Sequence, residues 1–380
     1  MTERIAIVGG GTGGTVLANR LADDLADEID ADDVEVALVT ASPDHVYKPL
    51  FLYVAFGRRE ADQARRPMTE LLDPRVTLHV ARVTDVDADA KRLTREDGAT
   101  LDYDYLALAT GANVAPEDVP GLAAGGHHYY APEAAESLRD ALASFDGGRL
   151  VLSVVGVPHM CPVAPLEFAL IADAWFRERG MRDEVELVYT YPSERVHSLD
   201  AIADWASPRM AERGVERETP FELRELDPDE QVAVGTDGTE LPYDLFVTIP
   251  PHHGDEMIAR SGLGDDGWID VDQYTLEYPD AEGVFAFGDT ADLPTSKAGS
   301  AAHYEAGVVA DRLASLVRGE TPTATYSGKT MCFIETGMDE ATFISFEYGQ
   351  QPTLREPSRT VHWAKLAYNE SYWLTARGLL

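Results

Sequence analysis

Residues 4–14 read RIAIVGGGTGG. Arg4–Val8 is a short apolar run that ends in glycines. Thr15–Leu25 follows, with Val16, Leu17, Leu21 and Leu25 at helical spacing, and Val34–Val39 is a second apolar run. The pattern is strand, helix, strand. Its turn carries G-x-G-x-x-G at Gly9, Gly11 and Gly14, with Gly13 inside it. Glycines there permit a tight turn, close backbone approach and close helix packing, so a pyrophosphate can sit on the helix N-terminus. A glycine-rich turn with no ligand is the plain alternative. The position directly between a strand and a helix argues for the nucleotide. An acid that binds ribose hydroxyls often ends the second strand of such a unit. Here Thr40 stands near that place, and a hydroxyl bonds a ribose less strongly than a carboxylate.

Two further strands end in ways that suit the same ligand. Residues 101–112, LDYDYLALATGA, read as a buried strand with a sharp stop at Thr110-Gly111. Residues 283–289, GVFAFGD, read as another, ending at Gly288-Asp289. An acid at a strand's end can bond a sugar chain, or cap the helix that follows. Between these stretches lies a second α/β unit. Its parts are the strand Leu150–Val155, the helix Leu166–Arg179, the strand Val185–Tyr189, a hairpin-like region at Val232–Leu241 and the strand Leu245–Ile249. The reading is an α/β protein with two Rossmann-like, doubly wound three-layer domains, the second inserted into the first, plus a small C-terminal cap. The expected boundaries are 1–114 with 255–320, 115–254 inserted, and 321–380 for the cap.

The second unit departs from the first at its turn. Residues 150–168 read LVLSVVGVPHMCPVAPLEF. After Gly156 no glycine occurs until Gly180. Val157, Pro158 and Pro162 hinder close backbone approach and remove N–H donors. A cysteine, Cys161, stands where a second phosphate-binding loop would be.

The 380 residues suffice for two or three domains. They carry 67 acids against 31 bases, a formal net charge of −36, and only five of the bases are lysines. Such a surface repels itself at low salt, and molar salt, with a Debye length of about 3 Å, removes most of that repulsion. The composition reads as adaptation to a salty cytoplasm, as in halophilic archaea. It excludes nucleic acid as a natural partner. Two cysteines, Cys161 and Cys332, are too few for a disulfide framework and fit a specific thiol role inside a cell. MTERIAIVGG enters a strand at once, which reads as no signal peptide. No run of about 18 apolar residues predicts a membrane-spanning helix, and no metal-ligand spacing is present.

In order along the chain, the Gly9–Gly14 turn, Ala109-Thr110-Gly111, the inserted second dinucleotide fold and Gly288-Asp289 resemble the two-dinucleotide-binding-domain flavoproteins. Within that group, several stretches are similar to sulfide:quinone oxidoreductases. They are HVYKPLFLYVAFG at His45–Gly57, Cys161 followed by Glu167, PTSKAG at Pro294–Gly299, KTMCFIETG at Lys329–Gly337 and HWAKLAYNESYWLTARG at His362–Gly378. The resemblance covers nearly the whole chain. It implies FAD held at Gly9, Gly11, Gly13, Gly14, Thr40, Thr110, Gly111, Gly288, Asp289 and Lys297. It also implies a redox pair of Cys161 and Cys332, with Glu167 beside the first. Many members carry a third cysteine, which in some helps tether the flavin. Here that region reads GGHHYYAPE, so the FAD is expected to be non-covalent.

The implied chemistry takes sulfide as substrate and a membrane quinone as electron acceptor. Sulfide attacks one sulfur of a disulfide, leaving a persulfide and freeing the other thiolate. Glu167 is a candidate base, Lys297 a cation to offset charge on a reduced flavin, and His197 a proton relay near neutral pH. Each has a plainer reading: an acid complementing a helix dipole, a surface lysine, a structural histidine. The cysteines also admit a purely structural disulfide, worth about 5 kcal/mol by chain entropy over so long a loop. In the tail, Trp363, Leu366, Ala367, Glu370, Trp373 and Leu374 form one helical stripe, which suits core packing, a membrane interface or a quinone slot. The expectation is a protein peripheral to the inner face of the cell membrane, attached through its C-terminal region, with its oligomeric state open. The competing readings are a type II NADH dehydrogenase, which needs the missing second glycine turn, the flavoprotein subunit of flavocytochrome c sulfide dehydrogenase, and a redox-sensing flavoprotein without catalysis.

Overall fold

A computed structural model describes residues 2–379. The chain opens with β1 (Glu3–Val8), α1 (Thr12–Asp24) and β2 (Val34–Thr40), then adds β3 (Thr77–Val80) and β4 (Tyr105–Leu108). All pair in parallel, and Ile5, Ile7, Val36 and Leu38 are buried without exposure. Such near-continuous apolar strands are what a sheet covered on both faces requires. An antiparallel meander, residues 83–102, joins β3 to β4.

The same plan then repeats. β5 (Gly148–Val154), α2 (Ala164–Glu178), β6 (Val185–Thr190), β7 (Val215–Glu218), a second meander at 223–242 and β8 (Leu245–Ile249) build a parallel sheet in the order β7-β6-β5-β8. The chain then returns to the first sheet with β9 (Val284–Ala286), giving the order β9-β4-β1-β2-β3. The first sheet is thus completed by a strand that follows the whole second unit, the insertion expected from the sequence. Helix α3 (Gly299–Val317) packs on α1. An antiparallel sheet of β10 (Thr330–Glu335), β11 (Ala341–Phe346) and β12 (Thr353–Leu354) and the helix α4 (Arg359–Ala376) end the fold.

Two glycines of the first turn are fixed by geometry. Gly9 has φ +114°, and a Cβ there would lie 2.2 Å from the Ala109 carbonyl oxygen. A Cβ on Gly14 would lie 1.9 Å from the Gly9 oxygen. The turn is therefore closed against β4 and against its own helix, as tight packing of this unit demands.

Helix α4 faces the other way from the simplest reading of its stripe. Its buried residues are His362, Lys365, Asn369, Tyr372 and Ala376. Trp363 is 66% exposed and Leu374 46% exposed. Of the stripe, Trp373 still packs against the core beside Tyr47 and Tyr372, whereas Trp363 and Leu374 face outward. The polar face turns inward because each group there has a buried partner. Tyr372 stacks on Tyr47 with ring centroids 3.7 Å apart, and the Tyr47 hydroxyl donates to Asn369 Oδ1 at 2.9 Å. No described helix is long and apolar enough to cross a membrane.

Candidate active site

The ends of β1, β4 and β9 meet at a cleft. A Cβ on Gly11 or on Gly111 would meet nothing within 4 Å, so both backbones face open space. The Gly111 amide donates to Thr290 Oγ1 at 2.7 Å, and the Thr110 hydroxyl lies 3.3 Å from the same oxygen. Thr40 is buried beside Gly10, where a Cβ would come within 2.5 Å of its hydroxyl oxygen. Gly13 is pressed against the ring of Phe287. Asp289 is half-buried at the end of β9, and no described protein group donates a hydrogen bond to its carboxylate. Burial raises its pKa against the opposing pull of Lys48 and Lys297. Open backbone at two glycine turns, with an acceptor free to receive sugar hydroxyls, fits the FAD implied by the sequence.

Lys297 is held more tightly than a surface lysine. Its Nζ donates to the Asp289 and Ala291 carbonyls at 3.0 and 3.1 Å and lies 3.9 Å from the centroid of the Trp268 ring. Burial lowers its pKa. Its own carbonyl accepts the Cys161 amide at 2.7 Å. Cys161 has φ +52°, in the left-handed region that costs a residue with a side chain about 1–2 kcal/mol. That bond, with the Ala164 amide donating to the Cys161 carbonyl at 2.9 Å, holds the turn. The side chains of His159 and Met160 are both buried, Met160 in the hydrophobic core and His159 with its ring centroid 6.0 Å from that of His252. The Lys48 ammonium donates to Met160 Sδ at 3.1 Å. The turn is thus built of packed side chains where a phosphate-binding turn has glycine backbone.

Cys332, on β10, packs in the same cluster as Cys161, and both are free thiols. Burial pushes Cys161 well above its ordinary value, and the charge of Cys332 adds to this. Burial pushes Cys332 up to about 12, with Glu167 adding to it. Glu167 is buried one turn into α2. Its Oε1 accepts the Glu335 amide at 2.7 Å and pairs with Lys365 of α4. Burial raises its pKa, against the effect of Lys365. Glu335 in turn accepts the Tyr53 hydroxyl at 2.5 Å and lies 2.9 Å from His362 Nδ1. His197 is buried on the other side of the Cys161 turn. Burial, with His159 nearby, lowers its pKa to about 4, so it is neutral at pH 7. Its Nδ1 accepts the Leu199 amide at 3.0 Å, and its Nε2 has no partner.

Cys161, Cys332 and Glu167 therefore lie in one cluster, Lys297 is joined to it through the bond of its carbonyl to the Cys161 amide, and His197 lies near His159 of the same turn. Lys48, Thr290, Glu305, Glu335, His362 and Lys365 were not singled out in the sequence. Lys48, Lys329 and Lys365 lie inside the resembling segments, and the scarcity of lysine in this chain was a usable signal for the buried Lys48 and Lys365.

Glu305, on α3, is buried and accepts the Gly288 amide at 2.5 Å. Burial raises its carboxyl from 4.5 to about 7, and the charge of Asp289 adds to the rise. Between pH 4.5 and 7 the folded protein then binds more protons than the unfolded chain, so stability falls as pH rises through that window. The full loss is about 3 kcal/mol. Glu305→Gln is expected to flatten this slope. Urea midpoints at pH 5 and pH 8 check it, and an unchanged slope would assign the loss to other groups.

The residue pattern of the pyridine nucleotide-disulphide oxidoreductase family matches residues 3–307. A mitochondrial sulfide:quinone oxidoreductase of Mus musculus is 27% identical over 92% of this chain and 79% of its own. An NADH dehydrogenase-like protein of Mycobacterium tuberculosis is 32% identical over 76% of this chain and 72% of its own. The crystal structure of the sulfide:quinone oxidoreductase from Aquifex aeolicus aligns with a TM-score of 0.87 at 20% identity, covering 99% of this chain and 92% of that one.

Proposed function

The chain belongs to the pyridine nucleotide-disulphide oxidoreductase family, and we propose that this FAD-dependent member oxidises sulfide through Cys161 and Cys332 and passes the electrons to a quinone. The observation that carries the reading is the convergence of both cysteines of the chain, 171 positions apart, on a buried carboxylate–ammonium pair at the cofactor cleft. The relatives named for sulfide and quinone, aligned over more than nine-tenths of this chain, support it.

When bound, FAD accepts two electrons from the thiol pair and releases them to the quinone. The oxidised pair presents a disulfide. Hydrosulfide attacks one sulfur, the S–S bond breaks, and a persulfide and a thiolate result; a second hydrosulfide then takes the outer sulfur as a hydrogen disulfide species, which leaves both cysteines reduced as the pair whose two electrons FAD would take. The Glu167–Lys365 pair can take a proton from incoming hydrogen sulfide and return one to a leaving group. The raised values of both thiols favour their protonated forms once reduced. Lys48 and Lys297, which both act on Asp289, are the cations that would offset negative charge on a reduced cofactor held there.

The outward apolar stripe of α4, with Trp363 and Leu374, supports attachment to a membrane surface, where the quinone is dissolved. The NADH dehydrogenase reading has a relative to recommend it. Against it stands the second turn, where His159 and Met160 are buried in place of glycine backbone.

Anaerobic addition of sulfide to the purified protein tests the proposal. Sulfide is expected to bleach the flavin absorbance, and a short-chain quinone to restore it. Bleaching by NADH but not by sulfide would reverse the choice between the two readings.

A further inference from the structure

We propose that a proton path runs from a surface pocket through His362 and Glu335 to Lys365 and Glu167, and that it feeds the cysteine–flavin site. The pocket, of about 200 Å³, has apolar walls of Leu52, Phe56 and Leu366 and a polar floor of Tyr53, Glu335 and His362. Two arginines stand at its rim, but both are otherwise engaged. Arg58 lies 3.4 Å from Glu178 and Arg59 2.6 Å from Glu370. Neither neutralises the floor.

The floor is one connected chain of exchangeable protons. The His362 side chain retains 10% of its exposure, and its Nδ1 lies 2.9 Å from Glu335 Oε2. The Tyr53 hydroxyl donates to the other oxygen of Glu335. Lys365 Nζ lies 4.0 Å from that oxygen and is bonded to Glu167. Glu167 is the last member before the two thiols, which both feel its charge. The chain thus leads from solvent toward the sulfur chemistry with two unbonded steps, the 4.0 Å between Glu335 and Lys365 and the approach of Glu167 to the thiols, which feel its charge without a hydrogen bond.

The charges in the cluster are uneven. Two buried carboxylates face one ammonium, and an uncompensated charge in such surroundings costs several kcal/mol. Neutrality needs one more proton, held on His362 or on a carboxylate. The groups facing this cluster are Tyr53 ahead of it, Cys161 and Cys332 behind it and Arg58 at the rim, and none of them supplies that proton as a fixed cation inside the cluster. A purely structural ion pair would not need the fourth group.

The direction of flow rests on the function proposed above. Hydrosulfide, one proton and a quinone give sulfane sulfur and a quinol, so each turnover draws one proton from water. In the relay, Lys365 passes a proton to Glu167 and is refilled from Glu335, which is refilled through His362 from the pocket. Only N–H and O–H bonds form and break.

The experiment uses the FAD-loaded protein, reduced photochemically and then mixed with decylubiquinone, in wild type, His362→Ala and His362→Gln. Both variants are expected to reoxidise about tenfold more slowly, with flavin bleaching by sulfide within about twofold of wild type. Imidazole is expected to restore the alanine variant, because the pocket admits it. Reoxidation at the wild-type rate in His362→Ala overturns the path. So does a normal rate in His362→Gln, since the glutamine amide can donate a hydrogen bond to Glu335 but neither takes up nor releases a proton. A second readout does not depend on turnover. The infrared difference between oxidised and reduced protein is expected to contain a deuterium-sensitive carboxyl band that is lost in Glu335→Gln, and persistence of the band overturns the role of Glu335. If wild-type protein is reoxidised by quinone and these effects appear while sulfide fails to bleach it, the sulfide reading falls and the path stands.

Discussion

Cys161→Ser is expected to slow sulfide-dependent flavin reduction by at least about a thousandfold, and Cys332→Ser to do the same, while FAD remains bound. A thousandfold is about 4 kcal/mol of barrier. The effect is this large because a lone thiol cannot be attacked by hydrosulfide with loss of a leaving group. The S–S bond is the electrophile, and either serine removes it. Binding should survive because the glycine turns, Thr290 and Asp289 belong to other strands, and serine is close enough in size to keep the left-handed turn at position 161. Equal loss in both variants is the point of the measurement, since the two residues act as a unit. Anaerobic stopped-flow absorbance with excess sulfide reads it. A fast rate in either variant would remove the disulfide mechanism.

Lys365→Met should produce the largest loss of stability. Lys365 is buried, and burial alone would lower its pKa. Glu167 first, then Tyr53 and Glu335, raise it instead, so it is charged throughout the physiological range. Methionine can fill the space but leaves Glu167 and Glu335 without their cation. Breaking a buried pair by removing one partner costs about 3–5 kcal/mol. The penalty should shrink at low pH. Without the ammonium the raised value of Glu167 climbs further, so the folded state gains a proton that the unfolded chain loses above 4.5, and stability falls as pH rises. Denaturation midpoints at pH 5 and pH 8 measure this. The double variant Lys365→Met with Glu167→Gln should recover part of the loss, and a single variant as stable as wild type would show that the pair is solvated.

The fold was legible wherever the deciding contacts were local. The run Arg4–Val8, the glycines after it and the spacing of Val16, Leu17 and Leu21 lie within one strand–turn–helix unit, and its physics is complete in about twenty residues. The second turn was legible for the same reason, because missing glycines and two prolines are visible without any partner. The tail helix was harder. Its apolar residues do form a stripe, but the buried face is the next one round, with His362, Lys365, Asn369 and Tyr372. Hydropathy places those residues outside. Their partners, Glu335, Glu167, Tyr47 and His45, lie 27 to 327 positions away, so no local window contains the reason for their burial. Glu305 and Lys48 escaped notice likewise, since each acts on Gly288-Asp289 or the Cys161 turn from a distant element.

The tail helix also reaches the first glycine turn. The Tyr372 hydroxyl lies 2.8 Å from Thr12 Oγ1 and 2.7 Å from His45 Nε2, while His45 Nδ1 lies 3.0 Å from the Gly10 carbonyl oxygen. Asn19 of α1 donates to the Ala376 carbonyl at 2.7 Å. During synthesis these partners are separated by the making of more than 300 residues. The cofactor turn therefore leaves the ribosome long before its bracing does. A nascent chain holds an unbraced cradle until α4 is made and docks. A chain cut short before α4 would carry every glycine of the turn and still lack the clamp that steadies it.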